Sequence, residues 1–327
     1  MRRPLLILFA AHTAAADPPP LTQPEMQQIL RTLQTHSSQR EAVSYEALNR
    51  AAIAALLREH PQSIQLVTVP AAPSPALPPV VESLTPRIAC LRPHDFRTED
   101  VAALSAALTK LAAGETGALI LDLRAPAADS DPAVAVALAA LFLPKDTPVC
   151  NALKTTAAPV WTRDLLVLTD TDTTNTAEVL ATVLRAGKRS LLIGSPTRGR
   201  TAAVAELPLR KADAGTLTLR YTAQRVTFPA GTADPFGKGL TPDIAAPLDA
   251  AEKAKVFALQ AKEGLARGVF HPARPRSNEA ALVAKTNPEL PDRIARTAAP
   301  APSETPPTDH PLQRAVDLLT AQHALSK

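Results

Sequence analysis

The sequence predicts an α/β fold on two grounds. From Ile88 to Ile244 short apolar runs alternate with stretches of helical periodicity, and a run such as Ala118-Leu119-Ile120-Leu121 has the unbroken hydrophobicity of a strand buried on both faces. The chain of 327 residues is 46% hydrophobic, enough for one large core or two modest ones. Only 3% of residues are aromatic, so Ala, Leu and Val must fill that core. The same scarcity disfavours base stacking and aromatic carbohydrate platforms.

Residues 1–16 read as a secretory signal peptide: Arg2 and Arg3 precede an apolar run from Leu5 to Ala11, and Ala14-Ala15-Ala16 stands before Asp17. Paired arginines also suit a twin-arginine signal, although they are common in ordinary ones. The apolar run is shorter than the roughly 20 residues a bilayer-spanning helix needs, and no other segment comes close. The expectation is an exported protein, periplasmic or extracellular, with no membrane span once the signal is removed. Losing Arg2 and Arg3 lowers 35 basic residues to 33 against 31 acidic ones, a net +2, so no nucleic-acid-binding surface is implied.

Residues 17–69 read as an N-terminal helical region. Pro24 opens a first helix, and Tyr45, Leu48, Ile53, Leu56 and Leu57 give a second one an apolar stripe. Residues 70–85 are a linker containing PAAPSPALPP, whose prolines keep it extended. The α/β core is expected over 86–250: IACLRP at 88–93, a helical run to Leu111, GALILDLR ending at Arg124, and AVAVALAALFLPKDTPV at 133–149. Beyond it, 251–327 is read as a C-terminal extension, helical to Arg267 and then rich in Pro, Ala and charge. Cys90 and Cys150 both fall in predicted strands, as a disulfide or as two buried thiols. No Cys/His spacing suggests a metal site, and no cofactor is expected.

Several segments together resemble the carboxyl-terminal processing (tail-specific) serine peptidases. They are LLVLTDTDTTNTAEVLATVLRAGKRSLLIGSPTRGR at 165–200, the strand–helix–strand blocks from 88 to 124, the L-F-L-P turn ending at Pro144, and G-x-x-P-D at Gly239–Asp243. SYEALNRAAIAALLREHPQS at 44–63 is similar to the family's N-terminal helical region, and PLQRAVDLL at 311–319 to its final helix. The resemblance implies a crotonase-like spiral core and a polypeptide substrate or protein partner. Relatives often carry a PDZ domain between the helical region and the first core strand. Here about twenty residues separate them, against the ~50 that an independent domain requires.

The resemblance also places the site. The family's serine nucleophile stands three residues before a glutamate; with Glu178 as that glutamate, the position is Asn175. The general-base lysine falls on Arg200, and the glutamine that orients it on Val204. An amide does not form an acyl-enzyme, a guanidinium stays protonated at physiological pH, and a valine side chain makes no hydrogen bond. The loop expected to hold the oxyanion is Ala125-Pro126-Ala127-Ala128-Asp129, without a glycine and with a proline that has no N–H. The expected function is therefore a non-catalytic family member that binds a peptide or protein. The alternative is an active endopeptidase with a relocated nucleophile at Thr173, Thr174, Thr176 or Ser195, although Lys188 fits a helix end rather than the site. The N-x-x-E spacing also predicts that Asn175 caps the following helix while Glu178 reaches back as in a capping box.

Overall fold

The computed structural model describes residues 22–36, 44–61, 63–70, 77–125, 131–269 and 307–325. Contacts divide the chain into two units, 1–61 and 62–327. The first contains α1 (Gln23–His36) and α2 (Tyr45–Glu59), and neither helix buries a residue. Ser44 caps α2 by accepting from the Ala47 amide at 3.2 Å. The signal reading of 1–16 lies outside the described residues.

In the second unit a six-stranded sheet runs in the order β11-β8-β7-β4-β3-β2. Its strands are β2 (Val80–Ser83), β3 (Ile88–Arg92), β4 (Ala118–Asp122), β7 (Asp164–Thr169), β8 (Leu191–Gly194) and β11 (Ile244–Ala245). β2 is antiparallel to β3, and all other pairs are parallel. Every residue of β3 and β4 is buried because both faces are covered. One face (Ala89, Leu91, Leu119, Leu121, Val167) packs with α3 (Thr98–Ala113), α4 (Pro132–Ala140) and α5 (Asn175–Ala186). The other face (Ile88, Cys90, Ile120, Leu168, Ile193) packs with Leu265, Val269 and α7 (His310–Leu325), which brings Leu312, Ala315, Val316 and Leu319. The helix before them, α6, spans Ala250–Glu263.

A second, antiparallel sheet has the order β1-β10-β9, with β1 (Ile64–Val69), β9 (Ala202–Ala212) and β10 (Gly215–Arg225). A short pair, β5 (Pro148–Cys150) and β6 (Leu153–Lys154), completes the strands.

Three expectations are corrected here, and the alternative left open for the cysteines is resolved. The range 17–69 is not helical throughout, because Ile64–Val69 pairs with β10; a partner about 150 positions away leaves no local signal. The linker range 70–85 contributes β2 to the main sheet. The described parts of 251–327 are integral to the fold: they supply the cover for one sheet face, since an apolar face must be buried against something. Residues 270–306, including most of the stretch read as Pro-rich, lie outside the described residues. Cys90 and Cys150 are free thiols on opposite faces of the sheet, and burial pushes the Cys150 thiol up to about 11.

Candidate functional site

Parallel strands β4 and β7 end side by side, and the candidate site is built on the loop leaving β7 and the turn that follows β8. The β7 loop runs from Asp170 to Thr174 and enters α5 at Asn175. Thr173 fixes this loop: its hydroxyl donates to the Leu123 carbonyl at 2.9 Å and accepts from the Asp170 amide at 3.0 Å. Asn175 follows with φ +50°, a left-handed conformation that asparagine adopts more readily than most residues. Its amide donates to the Arg200 carbonyl at 3.2 Å, so the two residues that the sequence suggests for the nucleophile and base positions meet through the main chain.

The predicted capping box is absent. Thr174 is the N-cap and makes no side-chain capping bond, and the Asn175 Oδ1 is buried with no partner. Glu178 does not reach back to the helix start. Its carboxylate accepts from the Thr197 hydroxyl, from the Gly199 amide at 2.8 Å and from the Arg200 amide at 2.7 Å, gripping the turn that follows β8. The residue is completely buried, and burial, the largest influence, raises its pKa above the ordinary 4.5 against the lowering effect of those donors. Spacing alone could not separate the two roles, because a glutamate three residues into a helix can face either the cap or a neighbouring turn.

The gripped turn needs its glycines. Gly199 has φ +78°, and a Cβ there would lie 2.7 Å from the Gly239 amide nitrogen; at Gly239, φ +76°, a Cβ would lie 2.2 Å from the Thr197 carbonyl oxygen. The R-G-R turn and the G-x-x-P-D segment are thus two backbones in direct contact, with the Leu240 amide also donating to the Thr197 hydroxyl at 2.7 Å.

Val204, the third residue suggested from the sequence, is half-buried in β9 opposite Thr222 of β10. It shares with Arg200 a shallow notch of about 10 Å³, lined also by Ser63, Gln65, Arg220 and Thr222 and large enough for one water-sized group. Ala125 lies three residues past the end of β4; Ala127 and Ala128, with Pro126, lie outside the described residues. The hydroxyls of Thr174, Thr176 and Thr201 are buried without a hydrogen-bond partner. Ser195 is half-buried, its amide donating to the Thr169 carbonyl at 3.0 Å, and Lys188 is exposed after the end of α5.

Behind the site is an ionic cluster that the sequence did not announce. Lys253 of α6 reaches Asp170 at 2.6 Å, Asp172 at 2.7 Å and the Arg124 carbonyl at 2.7 Å. Asp172 also meets Arg198 at 3.2 Å. Arg124 forks onto Asp122 and Asp309, with four bonds of 2.8 Å, and Arg92 holds Asp122 at 2.8 Å and Gln260 at 2.7 Å. The Phe257 ring lies beneath the Arg92, Arg124 and Lys253 cations. Burial would raise the Asp122 carboxyl, but Arg124 and Arg92 together hold it well below the ordinary carboxylate range. Asp309 is held low in the same way, chiefly by Arg124 against burial. No group of His, Cys, Asp and Glu among the described residues has the arrangement of a metal site.

Several solved structures resemble the chain. The photosystem II D1 C-terminal processing protease is 21% identical with a TM-score of 0.38, over 62% of this chain and 54% of that one. A protein of Bacteroides fragilis assigned to the S41 proteases is 16% identical with a TM-score of 0.45, over 59% of this chain and 56% of that one. A lipoprotein from Streptococcus agalactiae is 15% identical with a TM-score of 0.42, over 72% of this chain and 88% of that one. The chain thus spans about half the length of the first two. No curated protein matches it. The family model for peptidase family S41 matches residues 87–246, from the turn before β3 to just past β11, so this stretch is a peptidase family S41 domain.

Proposed function

We propose that this protein is an exported, non-catalytic S41 family member that binds polypeptide through a retained crotonase-like scaffold. The observation that carries the reading is Asn175 at the nucleophile position, joined through its amide to Arg200 at the base position. Asparagine offers no hydroxyl to attack a carbonyl, and arginine cannot accept its proton. Val204 and the glycine-free loop from Ala125 through Ala127 and Ala128 support the same reading. The S41 family acts on polypeptide, so a chain end or an unfolded segment is the ligand class. Export rests on residues 1–16; among the described residues no helix is long and apolar enough to cross a membrane.

A relocated nucleophile finds little support. The Thr173 hydroxyl is engaged by Leu123 and Asp170, and no base touches those of Thr174, Thr176 or Thr201. Lys253, the cation nearest the loop, already contacts two carboxylates and a carbonyl. Incubating the full-length chain with an unfolded protein should give no cleavage above a buffer control. Robust proteolysis that scales with the amount of this chain would overturn the reading.

A further inference from the structure

The antiparallel sheet β1-β10-β9 ends at β9, whose outer side pairs with no other strand among the described residues. We propose that this edge takes up an extended polypeptide segment in which acidic residues precede alternating apolar ones. The inference rests on the polypeptide-binding reading above and assigns it the unpaired edge of the strand that carries Val204.

Three observations carry it. An edge strand presents a row of backbone N–H and C=O groups to an incoming strand, and β9 is 11 residues long. It exposes two apolar side chains, Leu207 at 49% and Leu209 at 52%, the latter at a bulge where the register with β10 passes from Pro208 to Arg210. Leu207 is level with Leu219 of β10, which is level with Leu66 of β1, so an apolar row crosses all three strands, with exposed Tyr221 two residues along. Such a row on a surface marks an interaction site. Pro208 contributes no N–H, so an added strand would bond through the positions flanking it.

Charge selects the occupant. Arg210 and Lys211 are exposed and form no ion pair among the described residues, whereas Glu206, the only acid on the strand, is held by Arg220 at 2.8 Å. Asp213 stands beyond the strand in the hairpin turn. A second copy of β9 would bring the same two cations and a carboxylate already engaged, so a separate polypeptide with free carboxylates fits better. All pairings in this sheet are antiparallel. In that sense the incoming acids lie opposite Lys211 and Arg210, and the apolar residues follow past Leu209 and Leu207. The chain then continues toward Ala202, two residues from Arg200.

The test uses the full-length chain and two fluorescein-labelled peptides, EELTVTLT and KKLTVTLT. Fluorescence anisotropy should show the first binding at least tenfold more tightly. The double variant Arg210→Glu, Lys211→Glu should reverse that order. Leu207→Asp with Leu209→Asp should weaken EELTVTLT at least tenfold; both leucines are half exposed, so circular dichroism should show the fold retained. Hydrogen exchange over residues 202–212 should slow when EELTVTLT binds. Equal binding of the two peptides, no binding, or self-association that EELTVTLT does not displace would overturn the proposal. Slowed exchange confined to 175–200 would also overturn it while leaving the polypeptide-binding reading intact, and cleavage of the peptide would instead overturn the non-catalytic reading.

Discussion

Two groups of buried polar side chains meet where β4 and β7 end, and they are in opposite states. In the Arg92–Asp122–Arg124–Gln260–Asp309 cluster Arg124 forks onto both carboxylates at 2.8 Å, and Arg92 donates to Asp122 at 2.8 Å and to the Gln260 amide oxygen at 2.7 Å. A few residues along, the side-chain oxygens of Thr174, Asn175, Thr176 and Thr201 are buried with nothing to bond. A matched buried network is costly to break, whereas an unmatched polar atom costs stability as it stands. The first group therefore holds the fold together, and the second marks a place shaped by something other than stability.

The comparison breaks most readily at Asp309. Asp309→Ala leaves Arg124 and Arg92 short of counter-charge in a sealed interior and removes a carboxylate that accepts from the Leu312 amide at 3.1 Å. We expect a loss of about 3–5 kcal/mol in urea unfolding, with α7 cleaved early in limited proteolysis. A gain or no change would show that the cluster is incidental.

Acidity should separate the groups next. Asp122 and Asp309 are held below their ordinary 3.8, so the stability they contribute is present above that pH and is lost as pH falls through their folded values. Glu178, raised by burial above 4.5, has the opposite sign: its contribution is present below 4.5 and is lost as pH rises through its folded value. Unfolding free energies followed from pH 7 to pH 3 should fall at the acid end, less steeply in Asp309→Asn. The cost of Glu178→Gln relative to the parent should shrink between pH 4 and pH 7.

Among the unmatched oxygens, Thr176→Val removes a buried hydroxyl from a fully enclosed helical position while keeping its shape. It should stabilise the protein by about 1 kcal/mol, seen as a higher urea midpoint. The smallest effect is expected from restoring the family residues together, Asn175→Ser, Arg200→Lys and Val204→Gln. Cleavage of an unfolded protein should stay at background, because the loop after β4 still lacks its glycines; strong turnover would show that loop to be adequate.

Much of this was legible in the sequence, for identifiable reasons. IACLR, ALILD and DLLVLT read as strands because burial on both faces leaves no polar residue to break the run. Asn175, Arg200 and Val204 are assigned by the family resemblance, through spacing from Glu178 and from the R-G-R turn, and their roles belong to the proposal. Roles set by distant partners were not legible. Glu178 answers to a turn 21 residues away, β1 to a strand beyond the main sheet, and Arg124 to an aspartate 185 positions later. N-x-x-E looks the same whether the glutamate caps its own helix or holds another segment.

The Asp309 amide donates to the Gly268 carbonyl at 2.8 Å, so two residues far apart in the sequence lie side by side at the start of α7. With Leu312, Ala315, Val316 and Leu319 buried, helix α7 is held by its contacts, which makes it in effect a ligand supplied in cis at a high local concentration.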